Sequence, residues 1–254
     1  MKNLIKVLLL IITLSLISCY GTDDDTDKVC NGNCNVFTGR IFTENNVGIP
    51  GVEITLTYTV NQIGVNYQRI IAKSKTDSNG EYVIEGFIKD NEFDVGYFHL
   101  TVDEYKIENS ITNEFYKPSE LVNEVVPKIN EYYIPNLVSR TQVTNVNYKI
   151  PYKTNLTVNL NDFNLTTAND EFGVGNSIKY GFQGAEDANR FYTKLSTNKG
   201  FGYANGSKTT LTIPSVFGEN YLNIYKFKGG LVDHTFETIT INNPNTNPPL
   251  NFFY

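Results

Sequence analysis

Val52-Glu53-Ile54-Thr55-Leu56-Thr57-Tyr58 places an apolar side chain at every second position. An extended chain turns successive side chains to opposite faces, so this spacing fits a half-buried strand and not a helix. Similar short runs recur to the end of the chain. Turn chemistry separates them, as in Asp77-Ser78-Asn79-Gly80, Asn205-Gly206-Ser207 and Gly229-Gly230. A chain punctuated this way is confined to an all-β fold of short antiparallel strands. The aromatics, 17 Tyr and 16 Phe, suit the same end, because rings and branched side chains fit a pleated surface. Hydrophobic residues make up 40% and charged residues 19%, enough apolar material for a core.

The runs fall into two groups. Residues 36–43, 52–58, 67–76, 81–87, 93–102 and 144–150 read as strands of a first unit, 35–152. Within it, residues 117–133 break the pattern, and 119–126 read as a short capped helix stopped by Pro127. After the boundary at Pro151-Tyr152-Lys153, residues 155–160, 177–182, 191–195, 209–213, 221–227 and 235–241 read as strands of a second unit, 153–254. The expected architecture is two tandem antiparallel β-sandwiches. The tail, 242–254, reads either as a last edge strand or as an extended segment laying its aromatics on the sandwich.

Gly39-Arg40-Ile41, Ile49-Pro50-Gly51-Val52-Glu53-Ile54 and Thr76-Asp77-Ser78-Asn79-Gly80-Glu81-Tyr82 together resemble the carboxypeptidase regulatory-like domain. That resemblance implies a transthyretin-like Greek-key sandwich for residues 35–152. It implies an accessory folding, spacing or binding module with no catalytic residues.

Met1-Lys2-Asn3-Leu4-Ile5-Lys6 is a basic start, and residues 7–17 are apolar except for Thr13 and Ser15. Eleven residues suit the apolar part of a signal peptide and fall short of the ~20 that span a bilayer. The run ends Leu16-Ile17-Ser18-Cys19, which resembles the lipobox of bacterial lipoproteins. The resemblance implies removal of residues 1–18 and lipid on Cys19, a partnership with the membrane through acyl chains. Residues 19–34 then read as an acidic, solvated tether. Within it Asp23-Asp24-Asp25 resembles the export signal of surface lipoproteins of Bacteroidota-type bacteria. The expected location is the outer membrane, facing the cell surface in preference to the periplasm.

With Cys19 assigned to lipid, Cys30 and Cys34 remain. Asn31-Gly32-Asn33 can turn sharply enough for them to pair in an oxidising compartment. A zinc site would need a second Cys or His pair, and the two histidines, His99 and His234, lie far apart in sequence. Removing residues 1–18 discards Lys2 and Lys6 and no acid, which moves the net charge from −6 to −8. No basic cluster marks a nucleic-acid surface.

Chemistry is not visible. Asp77, Asn79 and Glu81 around Gly80 read as a hairpin turn, since the position where a calcium loop needs a carboxylate is Gly86. The carboxylates of Asp170-Glu171 and Glu186-Asp187 read as solvated, His99 as a packed strand residue, and no Ser sits in a Gly-x-Ser-x-Gly elbow. No catalytic residue, metal site or cofactor is expected. The primary reading is a non-enzymatic envelope lipoprotein with a structural or binding role. The alternative is a glycan- or nutrient-binding accessory of an uptake system, which exposed Tyr clustered on one face of the second unit would favour, although the chain has no Trp.

Overall fold

The computed structural model of the chain describes residues 19–43, 46–62, 65–103, 130–134, 137, 143–161, 166–183, 192–194, 201–204, 208–242 and 249–253. The expected signal peptide 1–18, the expected helix at 119–126 and the carboxylates of Glu186 and Asp187 lie outside these residues.

The described chain is all-β. The first half carries β1 (Cys19–Asp24), β2 (Asn35–Phe42), β3 (Glu53–Gln62), β4 (Val65–Lys75), β5 (Glu81–Gly86), β6 (Tyr97–Asp103), β7 (Glu131–Ile134), β8 (Val143–Asn145) and β9 (Asn147–Lys149). The second half carries β10 (Lys153–Asn161), β11 (Glu171–Lys179), β12 (Gly181–Gln183), β13 (Tyr192–Lys194), β14 (Phe201–Ala204), β15 (Lys208–Val216), β16 (Gly218–Lys228), β17 (Leu231–Ile241) and β18 (Leu250–Phe253).

Two sheets build the first sandwich, one in the order β1-β4-β3-β6-β7 and one in the order β12-β9-β2-β5 with β8 also on β2. Alternation drives their packing. Ile54, Leu56 and Tyr58 of β3 and Phe98, Leu100 and Val102 of β6 turn inward onto Phe37 and Ile41 of β2 and Tyr82 and Ile84 of β5. The second sandwich pairs the sheet β15-β10-β18 with β13-β11-β16-β17, where β14 also joins β11. Its smaller core holds Leu156, Val158, Phe172, Val174, Ile213, Leu222, Ile224 and Ile241. The tail forms the edge strand β18, and Phe252 packs against that core, edge-on to Phe172 at 6.4 Å. Not every pairing is antiparallel: β1 on β4, β18 on β10, and β8 and β9 on β2 run parallel.

The two sandwiches are stitched together. β11 turns at Tyr180-Gly181, where Gly181 takes φ 99°, and continues as β12 alongside β9 of the first sandwich. Ile178, Tyr180, Phe182 and Val216 thus belong to the first core although they follow residue 153. The Phe182 ring meets Tyr148 at 4.6 Å. Between the two cores sits Asn176, whose amide donates to Asn220 Oδ1 at 2.8 Å and to the Pro214 carbonyl at 3.1 Å.

The motif residues of the first sandwich interlock. A Cβ at Gly39 would run into the Val146 carbonyl, so only glycine lets β2 approach that chain. Gly80, at φ 77°, accepts at its carbonyl from the Ile41 N–H at 2.7 Å. Thr76 Oγ1 accepts from the Val52 N–H at 2.9 Å and donates to the Ile49 carbonyl at 2.7 Å. Arg40 Nε donates to the Asn79 carbonyl at 2.8 Å. Asp77 Oδ1 accepts from the N–H groups of Asn79 and Glu81, which makes Asp77–Glu81 a closed turn. These residues specify packing and no ligand chemistry.

Candidate functional site

The N-terminal segment differs from the expected tether. All six residues of β1 pair with β4, from Cys19 opposite Val65 to Asp24 opposite Ile70. Gly21, Asp23 and Asp24 are poor strand formers, so the pairing rests on what their neighbours supply. Tyr67 donates its hydroxyl to Asp23 Oδ2 at 2.7 Å. Burial, reinforced by that bond, pushes the Tyr67 hydroxyl up to about 12. Asp24 Oδ1 accepts from the Thr26 N–H at 3.0 Å. Asp25 takes Arg69 Nη1 at 3.1 Å and Lys28 Nζ at 2.6 Å. The hydrogen bond from Lys28 leads in holding the Asp25 carboxyl below its ordinary value; burial opposes it, and Arg69 adds to the lowering.

Arg69 is only 2% exposed. Its Nε donates to Glu92 Oε1 at 2.7 Å, its Nη2 to Glu92 Oε2 and to the Phe87 carbonyl. Burial opposes the guanidinium charge, and Glu92 and Asp25 more than offset it. A fork of donors answered by two carboxylates is the arrangement that makes a buried arginine tolerable. Beyond it, Cys30 and Cys34 form a disulfide that closes the loop leading into β2. Cys19, Asp23, Asp24 and Asp25 thus lie along a segment docked on the first sandwich, and the cystine follows in the loop before β2.

Two outer sheet faces offer binding geometry. On the first sandwich, alternate residues of β3, β4 and β6 line an open trough of about 630 Å³. Thr55, Thr57, Thr59 and Asn61 form its floor with Gln68 and Asn66 to one side. On the other side Tyr97, His99 and Tyr133 gather their rings, Tyr97–Tyr133 at 5.1 Å and Tyr97–His99 at 5.8 Å. Asn61 donates its amide to the Tyr97 hydroxyl at 3.1 Å, and His99 Nε2 lies 3.3 Å from Glu131 Oε1. His99 is buried, as a packed strand residue would be, but on the polar side of β6 and not in the core. Burial is the main reason the Tyr97 hydroxyl is raised.

On the second sandwich, the outer face of β16 and β17 is aromatic. Tyr221, Tyr225 and Phe227 alternate along β16, and register sets Tyr225 beside His234 and Asn223 beside Phe236. The Tyr225 and His234 rings are 5.2 Å apart, and His234 and Phe236 stack at 6.4 Å with their planes 12° apart. Phe236 is 75% exposed and Val232, beside Phe227, 56%. Asn169, Glu171, Tyr225 and Phe227 border a recess of about 490 Å³. Register puts Gly173 and Gly175 of β11 on this same face, where they leave the ring row uncrowded.

The ends of this face are fixed. Tyr221 donates to Glu219 Oε2 at 2.6 Å, and Lys179 reaches the same oxygen at 3.0 Å. Together they hold the Glu219 carboxyl below its ordinary value. Asp170 accepts from the backbone and hydroxyls of Thr166 and Thr167 and from the Gly229 N–H at 2.9 Å. Burial pushes its carboxyl up, and the hydrogen bonds outweigh burial to hold it well below the usual range. Asp170 is therefore a tie between the loop before β11 and the β16–β17 turn, and its oxygens are occupied.

Among the described residues, no three His, Cys, Asp or Glu side chains converge as metal ligands, and no helix is long and apolar enough to cross a membrane. The sequence pointed to the tyrosines as binding equipment. It did not reveal that Phe236 and His234, 11 and 9 residues after Tyr225, would complete the row, because that depends on the β16–β17 register.

No family model matches the chain, and no curated protein matches it. Among solved structures it is similar to the Streptococcal ancillary pilin, with 13% identity, 88% of this chain and 62% of that one covered, and a TM-score of 0.31. It is similar to the Bacillus anthracis TIE protein at 10% identity, covering 87% of this chain and 34% of that one, with a TM-score of 0.29. For the shaft pilin spaA from Lactobacillus rhamnosus GG the values are 10%, 87%, 96% and 0.26. The chain thus spans 34% of the Bacillus anthracis protein and 62% of the streptococcal one. The likeness is one of strand-rich build, and the functional reading rests on this chain's own residues.

Proposed function

We propose that this chain is a non-enzymatic lipoprotein of the bacterial outer membrane, anchored through Cys19, with a structural or binding role at the cell surface. Its first sandwich takes the part of a carboxypeptidase regulatory-like module. The observation that carries the binding role is the bare aromatic row of β16 and β17. Soluble domains rarely leave contiguous apolar side chains in water, and such patches mark interaction sites. The described polar clusters meet the demands of packing: Asp170 is saturated, Arg69 is paired, and the Asp77 turn is closed.

A second reading, a glycan- or nutrient-binding accessory of an uptake system, is favoured by the same row. Tyr225 and Phe227 present rings next to Asn169 and Glu171, and rings that stack on sugar faces beside amide and carboxylate groups are the usual equipment of a glycan site. Two experiments test the proposal. Metabolic labelling with palmitate should mark the wild-type protein and leave Cys19→Ala unlabelled and outside the membrane fraction; a membrane-retained, processed Cys19→Ala protein contradicts the anchor. A glycan array probed with residues 20–254, which keep all but the first residue of β1, separates the two roles. Binding there supports the accessory reading, and silence leaves the structural one.

A further inference from the structure

We infer that the mature protein has no free tether and is held flush against the membrane, with the β3–β4 hairpin end of the first sandwich facing lipid. The inference rests on the lipid-anchored reading of Cys19 and adds an orientation to it. Its basis is the register of β1. Cys19, the residue that would bear the acyl chains, is itself the first paired residue of β1 and lies opposite Val65, where β4 leaves the hairpin. Everything from Cys19 to Asp25 is fixed to the fold. Six register pairs, the bond from the Asp25 N–H to the Ile70 carbonyl at 2.9 Å, the Tyr67–Asp23 bond and the Arg69–Asp25 pair leave no slack residue between anchor and sheet.

A flexible segment of that length would let the domain wander by roughly 15 Å. A paired one fixes which surface meets the headgroups. The candidates are Asn61 and Gln62 at the end of β3, Asn66 of β4, and Val95 and Tyr97 beyond them, all uncharged, with Asp94 the one acid in the adjoining turn. Amide and tyrosine side chains tolerate the interface, and nothing basic is needed because the acyl chains supply the attraction. The opposite end of the hairpin, Glu53 paired with Lys75, is about 30 Å away at the rise of an extended strand.

The chain contains no Trp, so one introduced tryptophan reports without background. Full-length Gln62→Trp and Lys75→Trp variants are expressed, purified from membranes and placed in phosphatidylcholine vesicles brominated on the acyl chains. The mass of the N-terminal peptide records acylation in each sample. Bromine quenches indole only at short range, so the residue-62 reporter should lose emission and the residue-75 reporter, about 30 Å further from the lipid, should be unchanged. Asp25→Asn removes the ion pair to the segment and leaves Arg69–Glu92 intact, so the protein stays folded while β1 loosens. Quenching at residue 62 should then fall towards that at residue 75. Acylated protein with both reporters unquenched overturns the orientation and leaves the anchor standing. Absence of acylation overturns the anchor, and the orientation with it. Unchanged quenching in Asp25→Asn overturns the ion pair as the fastening.

Discussion

The outer face of the first sandwich and the outer face of the second are built by the same alternation and end in opposite states. On the first, Thr55, Thr57, Thr59 and Asn61 point outward, and the aromatic members Tyr97, His99 and Tyr133 cluster over one another. On the second, Tyr221, Tyr225 and Phe227 point outward, and Phe236 and Val232 stand in water beside them. A polar outer face is what a sheet in water requires. An aromatic outer face costs solubility and is retained where something covers it. Under the proposed function, anchorage and support fall to the first sandwich and recognition to the second.

The largest effect that tests this division is expected at the fastening of the first sandwich. Arg69→Ala leaves Glu92 buried without its partner and should cost about 3–5 kcal/mol, read as a lower urea midpoint. A midpoint within error of wild type would show that the ion cluster supports nothing. Next comes the tie that holds the second face in shape. The Asp170 carboxyl is depressed in the folded state, so its contribution is present above the unfolded value of about 4 and is lost as pH falls. The melting temperature of wild type should therefore drop below pH 4 more steeply than that of Asp170→Asn, which starts lower at neutral pH. Parallel curves would mean that the Thr166, Thr167 and Gly229 bonds do not depend on charge.

A smaller effect is expected from reducing the Cys30–Cys34 bond. A loop this short constrains the unfolded chain little, about 2 kcal/mol at most, and near-wild-type melting after reduction and alkylation checks it. The smallest stability effect belongs to the recognition face itself. Phe236→Ser should change the unfolding free energy read from urea titration by no more than about 0.5 kcal/mol while weakening binding. A large loss of stability would show that Phe236 is packing and not recognition.

Much of this was legible in the residues. The alternation of 52–58 is the core side of β3, and the Gly39, Thr76, Asp77 and Gly80 positions serve turns and close approaches, as their chemistry implies. β1 was not legible, because Gly21, Asp23 and Asp24 do not ask for a strand; the partners that hold the segment, Tyr67 and Arg69, lie 44 residues further on. β11 was legible only from Ser177, since Gly173 and Gly175 have low strand propensity, whereas between two neighbouring strands they form ladder positions. The passage of β11 and β12 from the second core into the first is a tertiary event with no local signature. The recognition face was legible as composition and not as a place, because adjacency of Tyr225, His234 and Phe236 comes from cross-strand register.

The division of labour between the two faces is tested most directly by probing one glycan array with the wild-type protein and with one variant of each face. Tyr225→Ala with Phe236→Ser should weaken binding at least about tenfold, close to 1.4 kcal/mol, and Tyr133→Ala on the first sandwich should leave it unchanged. Loss of binding in Tyr133→Ala with retention in the double variant would contradict the account and move recognition to the trough.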